Sequence, residues 1–285
     1  MAIDPQKALG AEIPGGPSTW DRDQVILYHL GVGAGVPQTD PNELSYTYEK
    51  SLKVLPSFGV IPVFRYLAAI ASVPGLAGQF NPALLLHGEQ DLTLHAPIPV
   101  EASVSSRGRV AGLYDKGKAA VAVLELDTTG SDGKPLFTNR FTLFLRGAGG
   151  FGGERGPDVK LEPPSRAPDA VKRSPTLPQQ ALLYRLSGDK NPLHADPDFA
   201  KLGGFDKPIL HGLCSYGIVC KAVVDAVCGG DVKQVARWQA RFAGVVFPGE
   251  TIVTSMWQEG KTVLVTAKTL ERDTPVLSNA ALTVR

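Results

Sequence analysis

Residues 212–227, GLCSYGIVCKAVVDAV, carry only Lys221 and Asp225 as charges. Their apolar residues recur at helical spacing, so the segment reads as a helix that is apolar nearly all round. Such a helix has to be buried. After it come short stretches rich in valine and threonine, at 234–244, 251–258, 262–271 and 276–284, with turn residues between them. These are strands, and no helix lies between them to carry a parallel crossover, so the sheet is antiparallel. A curved antiparallel sheet wrapped around the helix buries it.

The first half of the chain repeats this plan. Leu55 to Val73 is apolar and mostly helical, but Gly59 and Pro62 interrupt it, and the proline breaks the helix near Ile61. Strands are expected at 88–97, 100–110, 119–128 and 140–146, ended by GAGGFGG (147–153). Aligning Pro99 with Pro248 brings Glu101 to Glu250, Val104 to Val253 and Ser105-Ser106 to Thr254-Ser255. One domain has been copied. The fold class is therefore α+β, a double hot-dog in which two long helices are each wrapped by antiparallel sheet. The halves are expected at 1–153 and 176–285, with the charged, proline-rich 154–175 as linker. Residues 1–17 read as a loose arm, Arg22 to Gly31 as a helix and 44–50 as a weakly alternating strand. GVGAGV (31–36) has Val36 where a dinucleotide fingerprint needs glycine, so it reads as a helix end and loop.

The chain has 285 residues and a formal charge of +1. There is no basic field for nucleic acid and no apolar stretch long enough to cross a membrane as a helix. Neither a signal-peptide core nor an SKL-type ending is present. Cys214, Cys220 and Cys228 fall on one helix without Cys-x-x-Cys spacing. A reducing, cytoplasmic setting is expected.

The chemistry concentrates in YRLSGDKNPLHADPDFAKLGGFDKPILHGLCSY (184–216). Ser187-Gly188-Asp189 is turn chemistry, and Pro192 keeps Asn191 out of the α region. Asp196-Pro197 reads as an N-cap and first helical residue, starting a short helix to Lys201. A carboxyl group (Asp189), a carboxamide (Asn191) and an imidazole (His194) can then converge and hold a water, which is general acid–base chemistry. Asn191 either orients that water or fixes the loop. Gly212 begins the long helix, where free backbone N–H groups stabilise a developing oxyanion. His211 reads as a structural histidine rather than a catalyst. No compact ligand spacing supports a metal.

The segment YRLSGDKNPLH (184–194), with KPILHGL (207–213), resembles the signature of the R-specific enoyl-CoA hydratases, the MaoC-like hydratase 2 family. The resemblance extends to LLLHGEQ (84–90), YDKGK (114–118), FLRGAGGFGG (144–153) and RFAGVVFPGET (241–251). It covers nearly the whole chain, in the two-halved form found in peroxisomal multifunctional β-oxidation enzymes. It implies a double hot-dog homodimer that hydrates trans-2-enoyl-CoA to (3R)-3-hydroxyacyl-CoA. Asp189 and His194 are then the acid–base pair and the Gly212 N–H the oxyanion donor. It further implies that His87, Gly88, Lys116, Lys190 and Phe242 contact the acyl-CoA. No cofactor is needed, since CoA belongs to the substrate. The first half, which lacks the Asp-x-Asn-x-x-His motif, would bind the acyl tail. The alternatives are a hot-dog acyl-CoA thioesterase and a non-catalytic acyl-CoA-binding module.

Overall fold

The structure, a computed structural model describing residues 2–285, begins with α1 (Pro5–Ala8), β1 (Glu12–Trp20), α2 (Arg22–Gly31) and α3 (Pro41–Thr47). Next comes a broken helix: a 3-10 segment (Pro56–Val60), α4 (Ile61–Phe64) and a second 3-10 segment (Arg65–Ser72). Strands β2 (Leu85–Leu94), β3 (Ala102–Asp115), β4 (Ala119–Gly130) and β5 (Pro135–Arg146) complete the first half. The second half runs β6 (Ala170–Pro175), α5 (Gln180–Tyr184), a 3-10 turn (Arg185–Ser187), another (Pro192–His194), α6 (Pro197–Leu202) and α7 (Gly212–Val227). It ends with β7 (Val235–Phe242), β8 (Thr251–Glu259), β9 (Thr262–Thr269) and β10 (Pro275–Val284).

The ten strands form one sheet ordered β1-β3-β4-β5-β2-β7-β10-β9-β8-β6. Each half contributes its five strands in the same internal order, and the copies meet where β2 pairs antiparallel with β7, Glu89 opposite Arg241 and Leu92 opposite Trp238. The duplication read from the sequence is thus a two-fold repeat built into a continuous α+β double hot-dog. Helix α7 lies in the core, its residues Cys214, Tyr216, Val219, Cys220, Val223 and Val224 without solvent exposure. At Gly217 a Cβ would stand 2.7 Å from the Tyr28 hydroxyl and 2.6 Å from Val32, so glycine permits the close approach of α2.

The first-half helix breaks where Gly59 and Pro62 predict, and buried polar side chains satisfy the backbone that the break releases. The Gly59 carbonyl accepts a bond from Asn139 Nδ2 at 3.0 Å, and Gln90 Nε2 donates to Asn139 Oδ1 at 2.9 Å. Ahead of the break, the Leu55 N–H donates to His29 Nε2 at 3.1 Å, while His29 Nδ1 donates to the Tyr46 carbonyl.

Three local expectations change. The loose arm expected at 1–17, of which residue 1 lies outside the described residues, is instead ordered: 2–17 hold α1 and most of β1, which pairs with β3 from Glu12–Arg109 to Trp20–Ala102. Its Pro14, Gly15, Gly16 and Pro17 read as loop, but an edge strand tolerates them because one side needs no ladder bonds. Residues 44–50 are not a strand. Asp40 caps α3 by accepting from the Asn42 and Glu43 N–H groups, with Pro41 in the first turn, and this capping outweighs a weak alternation. The last six residues of the 154–175 stretch are β6, an edge strand on β8 whose Lys172 and Arg173 give it the composition of a linker. The glycines of 147–153 have a physical reason as well. The loop wraps the Asp115 carboxylate, which accepts from Gly117, Gly150 and Gly152 N–H groups at 2.7, 2.9 and 2.8 Å.

Candidate active site

A chain of side-chain-to-backbone turns delivers the motif residues. Gly188 takes φ +131°, which favours glycine, and turns the chain out of the 3-10 turn. Asp189 Oδ1 accepts from the Asn191 N–H at 3.1 Å, and Asn191 Oδ1 from the Leu193 N–H at 3.0 Å. Asp196 then caps α6, as its sequence predicts, by accepting from Asp198 and Phe199 N–H groups. Asn191, itself exposed, therefore builds the loop that presents His194.

His194 is buried, and its Nδ1 lies 2.9 Å from the Ile209 carbonyl. A carbonyl only accepts, so Nδ1 carries the proton and Nε2 is left as a lone pair. His211, 1% exposed, places Nε2 at 3.2 Å from the Asp189 carbonyl and donates to it by the same logic. The two imidazoles stack with centroids 3.7 Å apart and planes 28° apart, and the Tyr184 ring lies 5.0 Å from His211. One polar atom each from Asp189, His194 and His211 falls within 4.8 Å of the others. Asp189 and His194 are thus close enough to share one water through ordinary hydrogen bonds of about 2.8 Å. The same side chains are donor types that divalent ions take.

Burial, reinforced by the neighbouring His194, pushes His211 down to about 3. Burial also lowers His194, against the opposing pull of the Ile209 carbonyl and Asp189. Both rings are neutral near pH 7, so the stack carries no like-charge repulsion. The site therefore offers a carboxyl group and an imidazole lone pair, groups able to take and return a proton.

Beside this cluster, α7 begins at Gly212 with no side-chain cap on its first turn. The Cys214 N–H already donates to the His211 carbonyl at 3.1 Å, so the N–H groups of Gly212 and Leu213 are the ones available to an oxyanion. Phe242, from the end of β7, packs over Gly212, where a Cβ would stand 3.1 Å from the ring. His87 reaches Phe242 from the first half, edge to face at 4.9 Å, and its Nε2 donates to the Glu89 carbonyl at 3.1 Å. Burial pushes His87 down to about 4. The β2 register shifts between His87 and Glu89, and at Gly88 a Cβ would fall 2.4 Å from the Phe144 ring. His87, Phe242 and Gly212 thus form one contiguous wall, assembled across the β2–β7 junction. Lys190 is exposed beside Asp189. Lys116 is not brought to the cluster: it tips the β3–β4 hairpin and lines a separate cleft with Tyr114, Phe144 and Arg241.

The folded chain exposes a second register between the halves that the strand alignment did not give. Tyr28 to Asp40-Pro41 spans the same number of residues as Tyr184 to Asp196-Pro197, and both Asp-Pro pairs open a helix. In that register Asp189, Asn191 and His194 correspond to Gly33, Gly35 and Gln38. Phe58 packs on Tyr28 at 5.5 Å as His211 packs on Tyr184, and Gly59 follows Phe58 as Gly212 follows His211. The space above Gly59 is occupied by Leu92 and Ile98. The first half keeps the aromatic scaffold without the polar groups. The tie of His211 to Asp189 spans 22 positions and leaves no local signal in the sequence.

Residues 18–147 match the MFE-2 hydratase 2 N-terminal domain and residues 160–280 the MaoC-like domain. The chain is 44% identical to enoyl-CoA hydratase ChsH3 of Mycobacterium tuberculosis, over 97% of each chain. It is 42% identical to the peroxisomal enoyl-CoA hydratase 2 of Arabidopsis thaliana, over 95% of this chain and 92% of that one. A solved MaoC-like dehydratase from Phytophthora capsici superposes with a TM-score of 0.89 at 32% identity, covering 99% of this chain and 98% of that one. With the duplicated hot-dog sheet, these likenesses place the chain in the MaoC-like hydratase 2 family.

Proposed function

We propose that the protein is a hydro-lyase that reversibly adds water to trans-2-enoyl-CoA, giving (3R)-3-hydroxyacyl-CoA, in fatty-acid or related acyl-CoA metabolism. The observation that carries this reading is the convergence of Asp189 and His194 within water-binding distance, beside the open N-terminus of α7. The thioester carbonyl accepts a hydrogen bond from the Gly212 N–H, which draws electron density from C3. The water held by Asp189 and His194 attacks C3: its O–H bond breaks, the C3–O bond forms, the pair receives the proton, and the C2=C3 π electrons move onto the thioester as an enolate whose oxygen the Gly212 N–H stabilises. A proton then passes from the pair to C2 on the same face, so addition is syn and the protein is restored. Asp189 and His194 share these proton transfers. Water addition is redox-neutral, so the protein groups suffice, and CoA enters as part of the substrate.

The first half is the acyl-tail binder in this reading, supported by its broken helix and by the His87–Phe242 contact that carries it to Gly212. A homodimer is proposed on the family resemblance. Among the described residues no helix is long and apolar enough to cross a membrane, and three buried free cysteines suit the reducing, cytoplasmic setting we propose.

The test mixes purified protein with crotonyl-CoA and with a longer trans-2-enoyl-CoA, follows loss of enoyl-thioester absorbance, and determines product chirality. Water addition giving the 3R product is expected. Asp189→Asn and His194→Gln should each lower kcat by about 10²–10⁴ with the fold intact. Thiol release without hydration would identify a thioesterase, and binding without either reaction a non-catalytic module.

A further inference from the structure

We propose that His211 is a positioning residue of the reaction: stacked on His194 and bonded to the Asp189 backbone, it sets the geometry between the two groups that hold the water. This rests on the hydratase reading only in taking Asp189 and His194 as the acid–base pair.

Three observations carry it. First, one ring touches both partners, stacking on His194 at 3.7 Å and donating from Nε2 to the Asp189 carbonyl at 3.2 Å. Tyr184, whose own ring is buried, backs it at 5.0 Å. Second, the contact falls where the loop needs it. Gly188, Lys190 and Asn191 around Asp189 are exposed, and the turn bond to Asn191 orders the carboxyl group only within the loop. The His211 bond ties that loop to the start of α7. Third, the molecule contains its own control. Phe58 occupies the corresponding place in the first half and packs on Tyr28 in a similar way, but there the acid–base positions are Gly33 and Gln38. An apolar ring therefore fills this space adequately. The second half instead buries an imidazole whose Nδ1 has no hydrogen-bond partner, and burying an unpaired polar atom is unfavourable. The polar ring stands in the half that has two groups to position.

His211→Phe and His211→Gln in the full chain test this. Phenylalanine keeps the stacking surface and is the residue the first half uses; glutamine keeps an N–H donor. We expect His211→Phe to fold with a nearly unchanged Tm, to keep KM within about threefold and to lose roughly ten- to hundredfold in kcat, the scale of misplaced reacting groups. His211→Gln should recover part of that loss. Independently of activity, amide hydrogen exchange across 188–191 should quicken about tenfold in His211→Phe and return towards wild type in His211→Gln. A His211→Phe variant with normal kcat and normal exchange overturns the proposal. So does a kcat loss that only follows loss of folded protein. If the wild-type chain does not hydrate enoyl-CoA while exchange responds as expected, the functional reading fails and the anchoring of Asp189 stands.

Discussion

At the scale of single residues, four histidines share one property. His29 and His87 are each pushed down to about 4 and His211 to about 3, with burial the leading cause, and burial lowers His194 as well. For a base this depression keeps the ring neutral, so His194 retains the Nε2 lone pair near pH 7. The same depression has a stability consequence of definite sign. Above the ordinary histidine value near 6.5, folded and unfolded chains bind the same number of protons at these sites. Below it the unfolded chain takes up protons that His29, His87 and His211 refuse in the folded chain, so stability is lost as pH falls, until the folded-state values of those three rings, about 3–4, are reached. Each such ring removes about 1.4 kcal/mol per pH unit in that window. Tm measured against pH should therefore begin to fall near pH 6.5, well above the range in which carboxylates protonate. A Tm unchanged down to pH 5 would contradict the buried, neutral state of these rings.

Between elements, the critical contact is the start of α7 against the ends of β7 and β2. Gly212→Ala places a methyl 3.1 Å from Phe242, whose ring already rests on His87, so the aromatic must shift by a few tenths of an ångström. The expected result is a folded enzyme with kcat lowered about ten- to hundredfold, somewhat less than removal of an oxyanion donor. The double variant Gly212→Ala/Phe242→Leu should recover part of the activity; no recovery would mean that Phe242 is not what the methyl displaces. How far such contacts can be read from sequence depends on their range. Helix α7 and strands β7 to β10 were legible because each has a single unambiguous period and clear ends, and the meeting of Asp189 with His194 because both sit in one short motif. Strand β1 was hidden by its prolines and glycines and β6 by its charges, since edge strands tolerate both. The role of His211 and the meeting of His87 with Phe242 were not legible, because the first depends on a bond across 22 residues and the second on the pairing of β2 with β7.

For the molecule as a whole, duplication has produced one body rather than two. The sheet runs unbroken through the β2–β7 junction, and its outer strands are blunted by the prolines of β1 and by Lys172 and Arg173 of β6. The proposed homodimer should therefore not form by strand addition at these edges. Behind the sheet, a partly buried ionic cluster joins the halves. Lys221 of α7 bonds Glu43 of α3 at 2.5 Å and Asp225 at 2.9 Å, with the lysine side chain only 12% exposed. Asp225 also accepts from Asn42 and from the Tyr46 hydroxyl, both in the first half. Burying these charges is not itself a source of net stability, but removing one partner strands the others. Lys221→Ala leaves two carboxylates facing each other at the seam. It should cost about 3–5 kcal/mol, measured as a shift in the urea midpoint, and Glu43→Gln in the same chain should return part of the loss. Because the sheet and the cluster both cross the seam, unfolding should remain a single transition in wild type and variant. Two separated transitions would mean that the halves keep independent stability and that the seam merely joins two finished domains.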